Sequence, residues 1–373
     1  MRADRIDTAR TLALSLGSVQ LLQRLGAWRP GQAQPIAEVH VSQQSPSLLA
    51  AFPSRFGEPE LTIRAIDEAV PMLGAVMGYG AIVAPLQEVW LEAARREPKR
   101  LASRFATAVA ALKNVADPAG VEVDAGIAER FDLAIVAEGG VYALTAKTDL
   151  VAGERRAPLR HDYGQTAWVG VATFQPSAVG ASPGAGGVAY ERFTRHGPAA
   201  LLPRRDGTAA LVWCVDSSDD PVKDLDPAQR VAVLNTIFHP RTPRIASLSS
   251  LKPFALGLVA ERTLAEGRTV RIGNAAQTLH PVAGQGLNLG MRDAFELVRA
   301  LAGNRDVDSV LRKLEWQRAP DRWAMIAATD FLARSFTWAL PGAGTARGLG
   351  LAALQGLGPV KSAIARQMMF GSR

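Results

Sequence analysis

Between residues 160 and 260 the chain sets five strand-like segments one after another: QTAWVGVATF, GVAYERFTR, AALLPR, TAALVWCVD and FALGLVAERT. Aromatic and β-branched residues fill them, and Gly, Pro and Asp turns separate them, so they predict a sizeable antiparallel sheet. On its N-terminal side, RFDLAIVAEGG has a continuous apolar run from Leu133 to Ala137, the pattern of a buried parallel strand. On its C-terminal side, RTVRIG predicts a short strand over 268–272, followed by a Gly-rich turn and a helix over 288–302. Parallel-type elements at both ends of an antiparallel sheet imply one domain interrupted by another.

The remaining pattern fills in this frame. Residues 11–28 carry apolar positions at helical spacing, with Ser15 or Ser18 available as a cap. Residues 36–66 mix short alternating runs with Pro and Gly, as antiparallel strands do, and a helix starting at Tyr79 gives way to less regular sequence. Residues 308–373 read as helices with Gly and Pro breaks, and VGASPGAGG (179–187) reads as a loop.

With 48% hydrophobic and 21% charged residues in 373, the chain has ample material for a core. The net charge of +7 favours anionic cofactors, nucleic acid or an anionic membrane face, but the basic residues are scattered without interleaved aromatics, which argues against nucleic acid. Cys214, the only cysteine, excludes internal disulfides and Cys-based metal sites, and its apolar setting ALVWCVD reads as core. The five histidines lie far apart in sequence without paired spacing, so no metal site is expected. No segment has the length and apolarity of a membrane span, and the N-terminus lacks a signal-peptide core. The expected location is cytoplasmic, at most peripheral at the inner face of a membrane.

The chemistry concentrates in GNAAQTLHPVAGQGLNLGMRD (273–293). The strand before it ends at Gly273, which puts Asn274 at the carboxyl edge of a sheet, where ligands of open α/β folds bind. Its amide can both donate to and accept from a sugar or ribityl hydroxyl. Pro281 stiffens the turn, while Gly284 and Gly286 let the backbone approach a flat ligand. Asn288 begins the helix in this reading, so that the N–H groups of Leu287 and Asn288 point outward with the positive end of the dipole behind them. Such a site suits a flavin ring, whose pyrimidine edge gains negative charge on reduction. A Gly-rich helix start serving packing alone fits these residues equally well. His280, beside Pro281, reads as a packing or turn residue.

This motif resembles the flavin-binding signature of the class A FAD-dependent aromatic hydroxylases, in particular the ubiquinone-biosynthesis hydroxylases acting on polyprenylated phenols. The similarity extends to RTLALSLGSVQLLQRLGAW, FDLAIVAEGG, RHDYGQTAWVG, AYERFTRHGPAALLP and ARGLGLAALQGLGPVKSAIARQMMFG, and so covers nearly all of the chain. It implies an α/β fold with added antiparallel sheet: a discontinuous Rossmann-like FAD-binding domain (1–30, 76–145 and 256–305), a substrate domain (31–75 and 146–255) and a C-terminal helical region (306–373). By the resemblance, Arg10 reaches the FAD on its diphosphate or flavin side, and Glu138 and Gly139 line the diphosphate and the reductant path. Gly273 and Asn274 then hold the ribityl chain, and Pro281, Gly284, Gln285, Gly286, Leu287 and Asn288 face the flavin. No residue is assigned a catalytic acid–base role.

The sequence departs from that family in three places. Glu138 replaces an expected Asp, and Gly78 stands where an Arg or another polar contact is expected. The opening strand, G-x-G-x-x-G turn and helix are missing, and GAGGVA (184–189) and GLGLAA (348–353) do not follow predicted strands. The expectation is therefore an FAD domain lacking its first strand and phosphate loop, through a misplaced start codon or a truncated gene.

The implied activity is an FAD-dependent monooxygenase. NAD(P)H reduces FAD, O2 adds to give a flavin C4a-hydroperoxide, and one oxygen passes to the ring of a polyprenylphenol. Competing readings are a flavin reductase or oxidase without oxygen insertion, a truncated non-catalytic paralogue acting as scaffold of a quinone-synthesis assembly, and a flavin-free membrane-surface module. Partners beyond substrate and O2 would be a membrane surface and other quinone-biosynthesis proteins. The C-terminal stretch LGLAALQGLGPVKSAIARQMMFGSR fits either an interfacial helix or a terminal helix docked on the flavin domain.

Overall fold

The structure is a computed structural model that describes residues 10–44, 58–137, 157–176, 186–304, 306–335 and 343–371. Strand Thr11–Ser15 runs directly into helix α1 (Leu16–Arg24), which is capped by Ser15 Oγ accepting from the Ser18 amide. The helix expected over 11–28 therefore begins only at Leu16. Residues 11–15 pair antiparallel with Gly74–Gly78, which also pairs with Gln34–Ile36. A Cβ at Gly74 would sit 2.2 Å from the Leu14 carbonyl oxygen, so this pairing requires glycine there. Long-range pairing has overridden a local pattern compatible with either state.

Helix α2 (Tyr79–Arg96) follows, and then a three-stranded meander (Ala111–Val115, Gly120–Asp124, Ala128–Phe131) that the sequence reading left as irregular. Strand Ala134–Val136 pairs parallel with Thr269–Arg271, which confirms the parallel orientation of both. It is not the buried strand expected: it lies at the edge of a three-stranded sheet, and Ile135 is 48% exposed.

Among the described residues, the largest sheet has nine strands and contains all five expected segments, as Leu159–Phe174, Val188–Thr194, Gly197–Pro203, Ala209–Asp216 and Lys252–Ala260. Glu38–Gln43 and Glu60–Arg64 extend it on one side and Gln277–Thr278 on the other, while Ile245–Leu248 pairs with the end of Leu159–Phe174. The boundaries placed at 75/76 and 255/256 lie within the strands Gly74–Gly78 and Lys252–Ala260.

Alternate residues of these strands form two unlike faces. On the outer face Trp168, Phe174, Leu201, Leu211, Trp213 and Val215 pack against Leu234 and Phe238 of helix α3 (Pro227–Ile237) and its end. Helix α3 was missed in the sequence although Asp226 forms a capping box with Gln229 and Pro227 sits at its first turn. The inner face carries Ala167, Cys214 and Leu256, with Val169 and Val212 packed beside them. Cys214 is buried, in agreement with its reading as core.

The chain closes with helices α4 (Gly286–Gly303), α5 (Val307–Ser335), α6 (Ala343–Gly356) and α7 (Gly358–Phe370). Helix α7 docks through Ala365 and Met369 against Leu16 and Leu61. No helix among the described residues is long and apolar enough to cross a membrane.

Candidate functional site

The Gly-rich motif folds as a layered turn. Gly273, at φ +59°, opens a 3-10 turn over Gly273–Ala275, and the Ile272 amide donates to the Val136 carbonyl at 3.0 Å, which joins this edge to the parallel strand. A Cβ on Gly290 would lie 2.8 Å from the Gly273 Cα. Gly290 is thus a packing glycine that lets α4 cross the turn closely. Asn274 is half-buried beside it.

Pro281 starts a second 3-10 turn over Val282–Gly284, with Gly284 at φ +60° and its amide donating to the Pro281 carbonyl at 2.9 Å. Helix α4 then starts at Gly286, two residues earlier than expected, with Gln285 as its N-cap residue. Asn288 lies inside the first turn, and its side chain locks the turn to strand Thr11–Ser15. Its Oδ1 accepts from the Ser15 amide and the Ser18 hydroxyl, both at 2.8 Å, and its Nδ2 donates to the Ala13 and Gly284 carbonyls, both at 3.1 Å. Leu287 turns its side chain toward the core around Leu14 and Met77. The helix start has no side-chain cap, and no acidic residue stands in its first turn.

Gly286 tests whether a ligand fits here. It has no positive φ, and a Cβ added to it would meet nothing within 4 Å. The chain's own packing does not require this glycine. The first α4 amides have no side-chain cap and carry the positive end of the helix dipole, an arrangement suited to the electron-rich edge of a flat ring. The residues present fit a flavin.

Arg10 lies at the start of the strand that Asn288 anchors, exposed, with its guanidinium 5.9 Å from the Tyr79 ring centroid and its carbonyl accepting from the Tyr79 amide. Glu138 and Gly139 lie outside the described residues.

His280 is buried with both ring nitrogens engaged: Nδ1 accepts from the Val282 amide at 3.1 Å, and Nε2 lies 2.9 Å from Gln165 Oε1. The amide donor places the ring proton on Nε2, so the imidazole is neutral, and burial pushes it down to about 4. It positions the turn.

Beneath the motif lies an ionic network that the sequence did not reveal. Asp293 of α4 accepts from Arg318 at 2.8 and 3.0 Å and from Gln277 at 2.8 Å, and Arg318 also donates to Asp321 at 2.7 Å. Arg322, fully buried, donates to Gln277 Oε1 at 2.6 Å and to the Ala276 carbonyl at 3.2 Å. These charges hold the 273–278 turn between α4 and α5. Their only sequence signal was Asp293 in GMRD, three residues beyond Gly290.

The fold also gathers two of the scattered histidines. His40 and His239 lie with ring centroids 5.1 Å apart, and Glu60 Oε2 is 2.9 Å from His40 Nε2. With Glu60 they form a group of potential metal ligands, in contrast to the expectation from sequence spacing. Its hydrogen bonding is that of an ion-pair cluster. His239 Nδ1 accepts from the Arg241 amide, which puts the ring proton on Nε2, the nitrogen that faces the carboxylates, and the Arg241 guanidinium stands 3.5 Å from Glu60.

The profile of the FAD binding domain family matches residues 155–329. That stretch is just under half of the chain, and over it the sequence is similar to the FAD binding domain of the class A FAD-dependent hydroxylases. It is similar to ubiquinone hydroxylase UbiL of Rhodospirillum rubrum, 28% identical over 96% of this chain and 79% of that protein. It is also similar to 3-demethoxyubiquinol 3-hydroxylase of Escherichia coli, 26% identical over 96% of this chain and 86% of that protein. Among solved structures, Klebsiella pneumoniae HpxO complexed with FAD and uric acid shares the fold, with a TM-score of 0.68 over 97% of this chain and 88% of that one, at 17% identity.

Proposed function

We propose that this protein is an FAD-dependent monooxygenase that hydroxylates the ring of a polyprenylphenol in ubiquinone biosynthesis, with NAD(P)H as reductant and O2 as oxygen source. The observation that carries this reading is the uncapped start of α4 opening onto free space at Gly286. When bound, FAD supplies the redox chemistry and the activation of oxygen. The Gly286 and Leu287 amides stabilise negative charge at the pyrimidine edge, and Pro281, Gly284 and Gln285 shape the turn beneath the ring. Gly273 and Asn274 hold the ribityl chain, Arg10 serves the diphosphate or flavin side, and Glu138 and Gly139 line the diphosphate. Asn288 fixes the turn through its side chain. The substrate rests between this turn and the inner face of the large sheet, whose apolar residues exclude water from the reacting ring.

The proposal extends to a membrane surface, where a polyprenyl substrate resides and other quinone-biosynthesis proteins work. Helices α6 and α7 expose Leu349, Leu357, Val360 and Ile364, with Arg366 alongside, and the net charge of +7 favours an anionic leaflet.

The purified chain is expected to bind FAD with a flavin visible spectrum and to form one hydroxylated product per NAD(P)H consumed. A folded protein that takes up no FAD would overturn the reading, and NAD(P)H oxidation without product would reduce it to a flavin reductase or oxidase.

A further inference from the structure

One row of side chains crosses the inner face of the large sheet in register. Val41 pairs with Glu191, Glu191 with Ala200, Ala200 with Val212, and Val212 with Val169. At a strand spacing of about 4.8 Å, these five residues span roughly 19 Å. All five are half-buried, whereas Leu201, Leu211 and Trp213 on the opposite face are buried. Four of the five are apolar, and Glu191 is the one carboxyl in the row.

The row is tied to the flavin turn. Phe193, two residues along the same strand and therefore on the same face, packs with Val41 against Val282, the residue after Pro281. Glu191 itself has neither a hydrogen bond nor an ion pair with the described residues. Burial alone pushes the Glu191 carboxyl up to about 8, and Cys214 lies on the same face. A carboxyl held neutral in apolar surroundings both donates and accepts a hydrogen bond. A phenol hydroxyl offers the same pair of functions.

Resting on the proposed hydroxylase activity, we infer that Glu191 recognises the ring hydroxyl of the substrate. Its carbonyl oxygen accepts the phenol O–H while its own O–H donates to the phenol oxygen. The adjoining Ala200, Val212 and Val169 form the apolar floor for the first part of the prenyl chain. Glu191 is thereby a binding residue that selects a hydroxylated ring and fixes which ring position faces the flavin turn.

The test measures equilibrium binding of a short-chain 2-prenylphenol and of its O-methyl ether to the wild-type chain and to Glu191→Ala and Glu191→Gln, with FAD uptake recorded in parallel. The wild type is expected to favour the phenol over the ether about tenfold or more. Glu191→Ala should abolish that preference by weakening the phenol alone, and Glu191→Gln, which still donates and accepts, should restore most of it. FAD uptake should be the same in all three. The inference is overturned if Glu191→Ala keeps the phenol preference, or if it weakens phenol and ether equally, which is the signature of a structural role. A wild type that takes up FAD and hydroxylates the phenol while showing either result leaves the hydroxylase reading standing. A wild type that binds neither compound and takes up no FAD brings down both.

Discussion

The two faces of the large sheet are built from alternate residues of the same strands, yet one is filled and the other open. Trp213 and Val212 are neighbours in one strand; Trp213 is 3% exposed under α3, while Val212 lies half-buried on the other face. The backbone pairing is common to both faces, so the difference lies in side-chain volume and in what covers it. A face selected for stability carries Trp168, Phe174 and Leu211 and is closed by a helix. The row proposed to meet the substrate carries Ala, Val and a single carboxyl. The Gly-rich turn repeats the contrast: the space at Gly290 is taken by Gly273 of its own chain, and a Cβ at Gly286 would meet nothing within 4 Å.

The largest effect separating the two faces should come from truncating Trp213. Trp213→Ala leaves a cavity under α3 and is expected to cost about 3–5 kcal/mol, against about 1 kcal/mol for Val212→Ala. Chemical denaturation of both variants measures this directly, and equal losses would mean that the inner face is as tightly filled as the outer.

The two glycines of the turn sharpen the contrast at smaller scale. Gly290→Ala forces a Cβ to within 2.8 Å of the Gly273 backbone. It should cost about 1–3 kcal/mol from overpacking, offset by up to about 1 kcal/mol of helix propensity, and should weaken FAD binding at the same time. Gly286→Ala points into free space, so stability should hold within about 0.5 kcal/mol. Its FAD dissociation constant should nevertheless rise about tenfold, roughly 1.4 kcal/mol. Unchanged FAD affinity in Gly286→Ala would remove the turn from the flavin site.

Filling the open face is the converse experiment. Val212→Trp places a bulky ring in the row beside Ala200 and Val169 while its half-buried position limits the strain. Thermal unfolding should stay within a few degrees of the wild type, and short-chain 2-prenylphenol should bind about tenfold more weakly, again roughly 1.4 kcal/mol. Full binding in this variant would show that the substrate lies elsewhere.

What the sequence made legible follows the range of the interactions involved. The five segments between 160 and 260 were readable because alternation and turn residues are local, and the antiparallel sheet they form is the observed one. The strand at Thr11–Ser15 was not, because Leu12, Leu16 and Val19 fit a helical stripe until Gly74–Gly78 is brought alongside. Helix α3 was readable in principle, from Asp226, Pro227 and Gln229, and was overlooked. In the flavin motif, the glycines and the helix start were evident from spacing, but the part played by the Asn288 side chain depends on Ser15 and Ser18 from the other end of the chain. Arg318 and Arg322 look like surface charges on a helix until α5 is laid against α4. A lone Glu in an alternating strand reads as a solvent-facing residue, and only the register that sets Glu191 between Val41 and Ala200 shows otherwise.

The smallest expected effect lies at the rim of the filled face, where His40 sits beside Tyr190 and His239 follows α3. Glu60 accepts from His40 at 2.9 Å, and that hydrogen bond, opposed by partial burial and aided by Arg241, holds its carboxyl below its usual value of 4.5. A carboxyl with a lowered folded-state value stabilises the fold above the unfolded value and ceases to do so as pH falls through the folded one. Glu58, Arg192, Arg241 and His239 face the same cluster, and His239 is itself lowered by burial and by His40, so it stays neutral at pH 7. Because the Glu60 side chain is 36% exposed, screening keeps its contribution under about 1 kcal/mol. Glu60→Gln is therefore expected to lower the melting temperature by no more than a few degrees at pH 7 and to converge with the wild type as pH falls below 4.5 and through the lowered folded-state value. A difference between the two proteins that persists or grows in acid would place the stabilisation of this rim in packing, and the filled face would then owe nothing to its charges.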